Sequence, residues 1–163
     1  MTNAEMLLPE FEQEMATTRR LLERVPTDKG TWKPHPKSFS LGHLAQLVAR
    51  MPGWNTAALR GEDIDLSEGD PYSYEPTETL VSGFDARVAE AKSELARQTD
   101  ADFELPWSLK AGGKVIFTVS RREVVRQNIN HLVHHRGQLT VYLRLLDVPI
   151  PSIYGPTADE GWG

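Results

Sequence analysis

Asn130-His131-Leu132-Val133-His134-His135-Arg136-Gly137-Gln138 is the stretch on which both the architecture and the chemistry turn. It sits inside a longer segment, Ser120 to about Leu146, that reads as one helix. Ser120-Arg121-Arg122-Glu123 supplies a capping box at its start, and Pro149 and Pro151 end it. His131 and His135 are four residues apart, so their imidazoles stack on one helix face. Two such nitrogens can converge on one divalent ion at about 2.0–2.1 Å each. With His131 at zero and about 100° per residue, Val124, His135, Tyr142, Leu146 and Leu139 fall between roughly 20° and 80°. Both histidines are therefore expected inside an apolar stripe. His134, near −60°, and Arg136, near 140°, fall outside it on the same scale.

The competing reading of His131 and His135 is a neutral core pair satisfied by the backbone and by Asn128 or Gln138. Two stacked imidazoles on a buried face weigh against it, since a metal suits both at once. Asn128 and Gln138 lie on the same side and can orient the rings. The motif lacks the glutamate of HExxH, so a zincin peptidase is a poor match. Metal sites with catalytic roles use about three protein ligands and one open position. His35 lies between Pro34 and Pro36 in a loop and reads as a packing or surface residue. His43 is the natural third candidate, at the edge of the stripe Leu44, Leu47 and Met51 on a second helix. The candidate metal ligands are thus His43, His131 and His135.

Working outward, Glu10–Val25 has amphipathic spacing, with Pro9 suiting its first turn and Pro26 ending it. Residues before Pro9 read as a short arm or an extra turn. Ser40 caps the second helix, which Pro52-Gly53 kinks or ends. Gly61–Pro76 is acidic and turn-rich, a loop. Thr77 opens a third helix with Leu80, Phe84, Val88, Ala91 and Leu95 on one stripe. Leu105–Leu109 and Val115–Val119 flank Ala111-Gly112-Gly113 as a hairpin or extended excursion. These elements predict an all-α chain: one domain over 1–163, an antiparallel four-helix bundle with that short excursion before the last helix.

The chain has 163 residues and no cysteine, so disulfides, thiolate metal sites and cysteine nucleophiles are excluded. The net charge is −5 without a dense basic block, which disfavours nucleic acid. No apolar run is long enough to span a membrane. The first residues lack the layout of a signal peptide. A cytoplasmic location is expected.

The sequence resembles the DinB superfamily, the DinB/YfiT-like metalloenzymes, over nearly its whole length. The resemblance rests on Glu14–Leu22, Trp32-Lys33-Pro34-His35-Pro36-Lys37-Ser38, Leu41-Gly42-His43-Leu44-Ala45, Pro52-Gly53-Trp54 and, most specifically, His131–Leu139 with Val148–Gly155. It implies a four-helix bundle, often dimeric, holding a divalent ion, zinc or nickel foremost, through three histidines. His131 and His135 match two of them. The third usually stands where this sequence has Leu47, and His43 lies one turn earlier, about 6 Å along the axis. Either the helices shift to bring His43 in, or the site is incomplete. The resemblance implies a metal-dependent enzyme, a thiol-dependent S-transferase or isomerase acting on a small electrophile with a low-molecular-weight thiol. The alternative is a metal-deficient small-molecule-binding or stress-response protein. Tyr142 and Arg136 are candidate ligand contacts. A homodimer is expected, from the resemblance and from Trp54, Trp107 and Trp162 lying outside the clearest stripes.

Overall fold

The computed structural model describes residues 1–162. Four long helices carry the architecture: α1 (Asn3–Leu22), α2 (Leu41–Arg60), α3 (Thr77–Arg97) and α5 (Arg121–Leu145). A four-residue helix, α4 (Asp100–Phe103), precedes the hairpin β2 (Pro106–Ala111) and β3 (Lys114–Ser120). The pair α2 and α3 packs together, α2 also meets α5, and α1 meets both α3 and α5. Trp54 lies against His131, and Ala58 clusters with Val124, so α2 and α5 run in opposite directions. The main core lies between the long helices and includes Phe11, Leu44, Phe84, Ile129 and Leu139. A smaller cluster of Ala58, Trp107 and Val124 lies under the sheet. No helix is long and apolar enough to cross a membrane among the described residues.

The chain is mainly helical rather than all-α, because β2 and β3 belong to a three-stranded sheet. The third strand, β1 (Ile64–Asp65), pairs parallel to β2, Ile64 opposite Leu109. It lies within the segment read from sequence as loop. Two residues are too few to show an alternation, and Asp65 explains why they are extended. Its carboxylate accepts from the Ser67 hydroxyl (2.7 Å) and from the backbone N–H of Ser67 (2.9 Å), Gly112 (2.8 Å) and Gly113 (2.6 Å). These bonds, the Ser67 hydroxyl foremost, hold Asp65 well below the usual carboxylate range. Gly112 and Gly113 both take positive φ (58° and 77°), as a two-residue turn matched to strand twist requires. The clasp therefore ties the acidic loop to the hairpin.

Helix boundaries also differ from expectation. α1 begins at Asn3, because Thr2 and Glu5 form a reciprocal capping box ahead of Pro9. Pro9 then lies within the helix and leaves only the Glu5 carbonyl without its usual donor. Pro52 likewise interrupts nothing: α2 continues to Arg60 and ends at Gly61 in the left-handed conformation. At the start of α5, Ser120 accepts from the Glu123 N–H at 3.2 Å, as the sequence implies.

The rotation of α5 is the largest correction. Its buried residues Val125, Ile129, Leu132, Arg136, Leu139 and Leu143 centre about 110° from His131. His135 is buried at the edge of that stripe, and His131 is exposed. Arg136, placed outside the stripe by its position near 140°, is 1% exposed. Its Nη1 lies 2.6 Å from the Glu14 carboxylate of α1 and also donates to the Glu14 carbonyl and Thr18 Oγ1, each at 3.2 Å. Its Nη2 donates to the Tyr154 hydroxyl (2.8 Å), which donates in turn to the Glu14 carboxylate (3.0 Å). Arg136 is thus committed to α1 and the C-terminal tail through its ion pair and hydrogen bonds.

Removing one partner of such a pair strands a buried charge. Arg136→Met should lower stability by roughly 3–5 kcal/mol. The double variant Glu14→Leu/Arg136→Met should recover more than half of that in urea unfolding. A double variant that loses the sum of the two single effects would contradict this account.

Candidate functional site

α5 carries His131 and His135 towards α2, and the two rings meet as their spacing implies. Their Nε2 atoms are 2.9 Å apart. His135 Nδ1 lies 2.8 Å from Gln138 Oε1, and Gln138 Nε2 lies 3.2 Å from His134 Nε2. These contacts set the tautomer. With Gln138 Oε1 accepting, the His135 proton sits on Nδ1, and its Nε2 accepts from the Nε2–H of a neutral His131, a proton that an ion at this position would displace. A hydrogen bond on the outer nitrogen that frees the inner one is the arrangement of a metal-binding imidazole. Trp54 of α2 packs 5.7 Å from His131, centroid to centroid. His134 flanks the pair, its ring 5.0 Å from that of His135.

His43 does not join them. Its ring stacks on Phe39 at 4.1 Å and faces Tyr72 at 4.9 Å. Leu47, one turn further along α2, is buried in the core. Among the described residues, no three His, Cys, Asp or Glu side chains form a group able to hold a metal ion. Two nitrogens bound to one ion lie about 3.3 Å apart at tetrahedral angles. His131 and His135 come within a few tenths of an ångström of that, so they fit two positions of such a site, with no third supplied among the described residues. His35 spends its Nδ1 on the Lys37 N–H of its own loop, at 3.1 Å.

Burial lowers the pKa of His43, His131 and His135 below the ordinary 6.5. At His131 the neighbouring His135 and His134 add to this; at His135 the Gln138 hydrogen bond opposes it. Because His131 is open to water, burial weighs most on His135. Both imidazoles are therefore neutral at pH 7, the form that binds metals.

The pair stands between two cavities. On one side a polar cleft of about 310 Å³ is lined by Lys37, Ser38, Phe39, His135, Gln138 and Tyr142. On the other an apolar cavity of about 300 Å³ is bounded by Trp54, Trp107, Leu109, Phe117, Asn128 and His131, among others. Sequence reading paired Asn128 with the histidines, yet its side-chain nitrogen is buried and has no partner. Tyr142 reaches the cleft while its hydroxyl donates to the Phe39 carbonyl at 3.2 Å. Trp54 and Trp107 are walls of the apolar cavity. The roofing role of the sheet had no signal in the sequence, because it depends on which face the hairpin lays on α5.

The chain is thus mainly helical, with an imidazole pair on its last long helix between two cavities of about 300 Å³ each. The chain belongs to the DinB family, whose model matches residues 1–162. It is similar to the uncharacterized protein YrdA of Bacillus subtilis strain 168, at 23% identity over 160 residues, covering 94% of this chain and 89% of the relative. Crystal structures of two DinB-like proteins share the fold. The one from Bacillus cereus ATCC 10987 aligns with a TM-score of 0.69 at 21% identity, covering 92% of this chain and 97% of its own. YjoA of Bacillus subtilis aligns with a TM-score of 0.66 at 17% identity, covering 87% and 92%.

The depressed imidazoles set a pH dependence. Below pH 6.5 the unfolded chain binds protons that folded His131 and His135 resist, so unfolding free energy falls with falling pH. Urea unfolding of the EDTA-treated protein should show this loss between pH 6.5 and about 5, above the ordinary carboxylate range. His135→Gln should flatten it. An unchanged slope in that variant would refute the assignment.

Proposed function

We propose that this protein is a four-helix bundle of the DinB type that binds a divalent cation, zinc or nickel foremost, through His131 and His135. It would act there as a thiol-dependent S-transferase or isomerase on a small electrophile. The observation that carries the reading is the pair of facing Nε2 atoms with the His135 tautomer fixed by Gln138. A bound ion would supply Lewis acidity that favours the thiolate form of a low-molecular-weight thiol. The remaining roles fall to the protein. The nucleophile must come from a cosubstrate, since the chain has no cysteine. Lys37, Ser38 and Tyr142 offer polar contacts for that thiol in the cleft beside His135. The apolar cavity beside His131 excludes water from the electrophile.

A second reading is a small-molecule-binding or stress-response protein without catalysis. It is favoured by His43 being sandwiched between Phe39 and Tyr72 while Leu47 occupies the core. Zinc titration of untagged, EDTA-treated protein separates the two. Up to one ion per chain should bind, and His131→Ala or His135→Ala should each weaken binding at least tenfold. His43→Ala should change it little, whereas Leu47→His should tighten it by adding a third imidazole. Full retention of zinc in the double alanine variant would overturn the proposal.

The homodimer belongs to the same proposal. Light scattering at tens of micromolar should return twice the chain mass, and a monomer mass would contradict it.

A further inference from the structure

We propose that the polar cleft beside His135 binds a small molecule through a carboxylate, which the Lys37 ammonium and the Ser38 hydroxyl receive. On the reading above that molecule is the cosubstrate, which makes the cosubstrate an anionic thiol. The inference rests on that reading for the thiol alone and not for the charge.

The distribution of acids carries the first argument. The chain holds 23 Asp and Glu and has a net charge of −5, yet none of these acids falls between Gly30 and Gly61 or between Val124 and Leu146. Those two stretches hold the loop before α2, α2 itself and nearly all of α5, and they supply every residue that lines the cleft. An acidic protein thus keeps one region clear of carboxylates, and two lysines stand in it unopposed. Lys29, Lys92 and Lys110 pair with Asp28, Glu12 and Asp63, whereas Lys33 and Lys37 meet no carboxylate among the described residues.

The second argument is how the loop is held. The His35 Nδ1 accepts from the Lys37 N–H at 3.1 Å and the His35 carbonyl from the Ser38 N–H at 2.9 Å, which closes a turn that carries Lys37 and Ser38. The loop is docked on both sides of that turn. The Trp32 ring meets Tyr142 of α5 edge-on at 5.8 Å, and the Phe39 carbonyl accepts from the Tyr142 hydroxyl. The backbone that carries the ammonium is therefore fixed beside the buried His135 ring.

Size and chemistry complete the case. The cleft holds about 310 Å³, roughly twice the volume of about 150 Å³ that accommodates benzene, so an acylated cysteine fits. One ammonium and one hydroxyl offer donors to the two oxygens of a carboxylate, and the rings of Phe39 and Tyr142 form low-dielectric walls that focus the positive potential. The other hollows do not match. The apolar cavity beside His131 has no cation among its lining residues, and the hollow at Arg19 spends that cation on Asp85.

N-Acetyl-S-methylcysteine, a thioether that keeps the carboxylate but forms no thiolate, and its neutral amide test the inference on the full chain dialysed free of metal and chelator. Nitrogen–proton spectra at low salt should show the acid binding about fivefold more tightly than the amide, the upper end for an ion pair open to solvent. The amide signals of Lys37, Ser38 and Gln138 should move, and the indole signal of Trp107 should stay in place. Salt at about 0.5 M should weaken the preference, because screening then acts over a few ångströms. Lys37→Gln should erase the preference and Lys37→Glu should reverse it; Lys37 is exposed, so neither variant disturbs the core. Lys114→Gln, which removes an exposed lysine at the hairpin turn, should keep the preference and so controls for net charge. Equal affinity for acid and amide, no binding of either, an unchanged preference in Lys37→Gln, or its loss in Lys114→Gln would overturn the proposal. Because neither zinc nor a thiolate takes part, a failed zinc titration leaves this result readable, and equal affinities here leave the zinc result standing.

Discussion

The ion pair of Arg136 with Glu14, closed by the Tyr154 hydroxyl, is the interaction on which the rest of the structure depends. It joins three parts of the chain that are far apart in sequence: α1, α5 and the C-terminal tail. A buried charge is tolerated only when its partners satisfy it, so the three parts must arrive together. Around this point the tail is tied again by polar links. Arg20 of α1 pairs with Glu160, and Arg144 of α5 pairs with Asp159. Asp159 and Glu160 in turn accept from the backbone N–H of Ile150 and Ser152, which fixes the start of the irregular tail.

The site is built from the opposite economy. Where the ion pair is fully satisfied, the two imidazoles share a single proton between their Nε2 atoms and the Asn128 nitrogen is left without a partner. Natural cores keep such groups few. The histidine pair forms the partition between a polar space and an apolar one. Chemistry that joins a hydrophilic partner to a hydrophobic one has a place for each.

Much of this was legible in the sequence. The long helices, the Ser40 and Ser120 caps, the glycine turn of the hairpin and the meeting of His131 with His135 follow from local spacing, which the chain carries within a few residues. What local spacing could not supply was rotation and partnership. Arg136 fell outside the expected stripe because its counter-charge, Glu14, lies on another helix, and this misplaced the buried face of α5. Pro9 looked like a helix start because the stronger signal, Thr2 with Glu5, lay further upstream. β1 was hidden because its extended form is imposed by Asp65 reaching across to Gly112 and Gly113. The place of His43 depends on Phe39 and Tyr72, contributed by separate loops that no helical wheel includes.

His135 and Arg136 are adjacent in sequence and about 100° apart around α5. One side of the helix is therefore gripped by α1 and the tail, and the next presents an imidazole to the cavities. The helix works as a keyed shaft. It cannot turn to carry the imidazoles elsewhere without unseating the guanidinium, and a disturbance at Glu14 or Tyr154 is passed on as an angular error at the histidines. The residues that hold the imidazoles at their angle are thus found on α1 and in the tail.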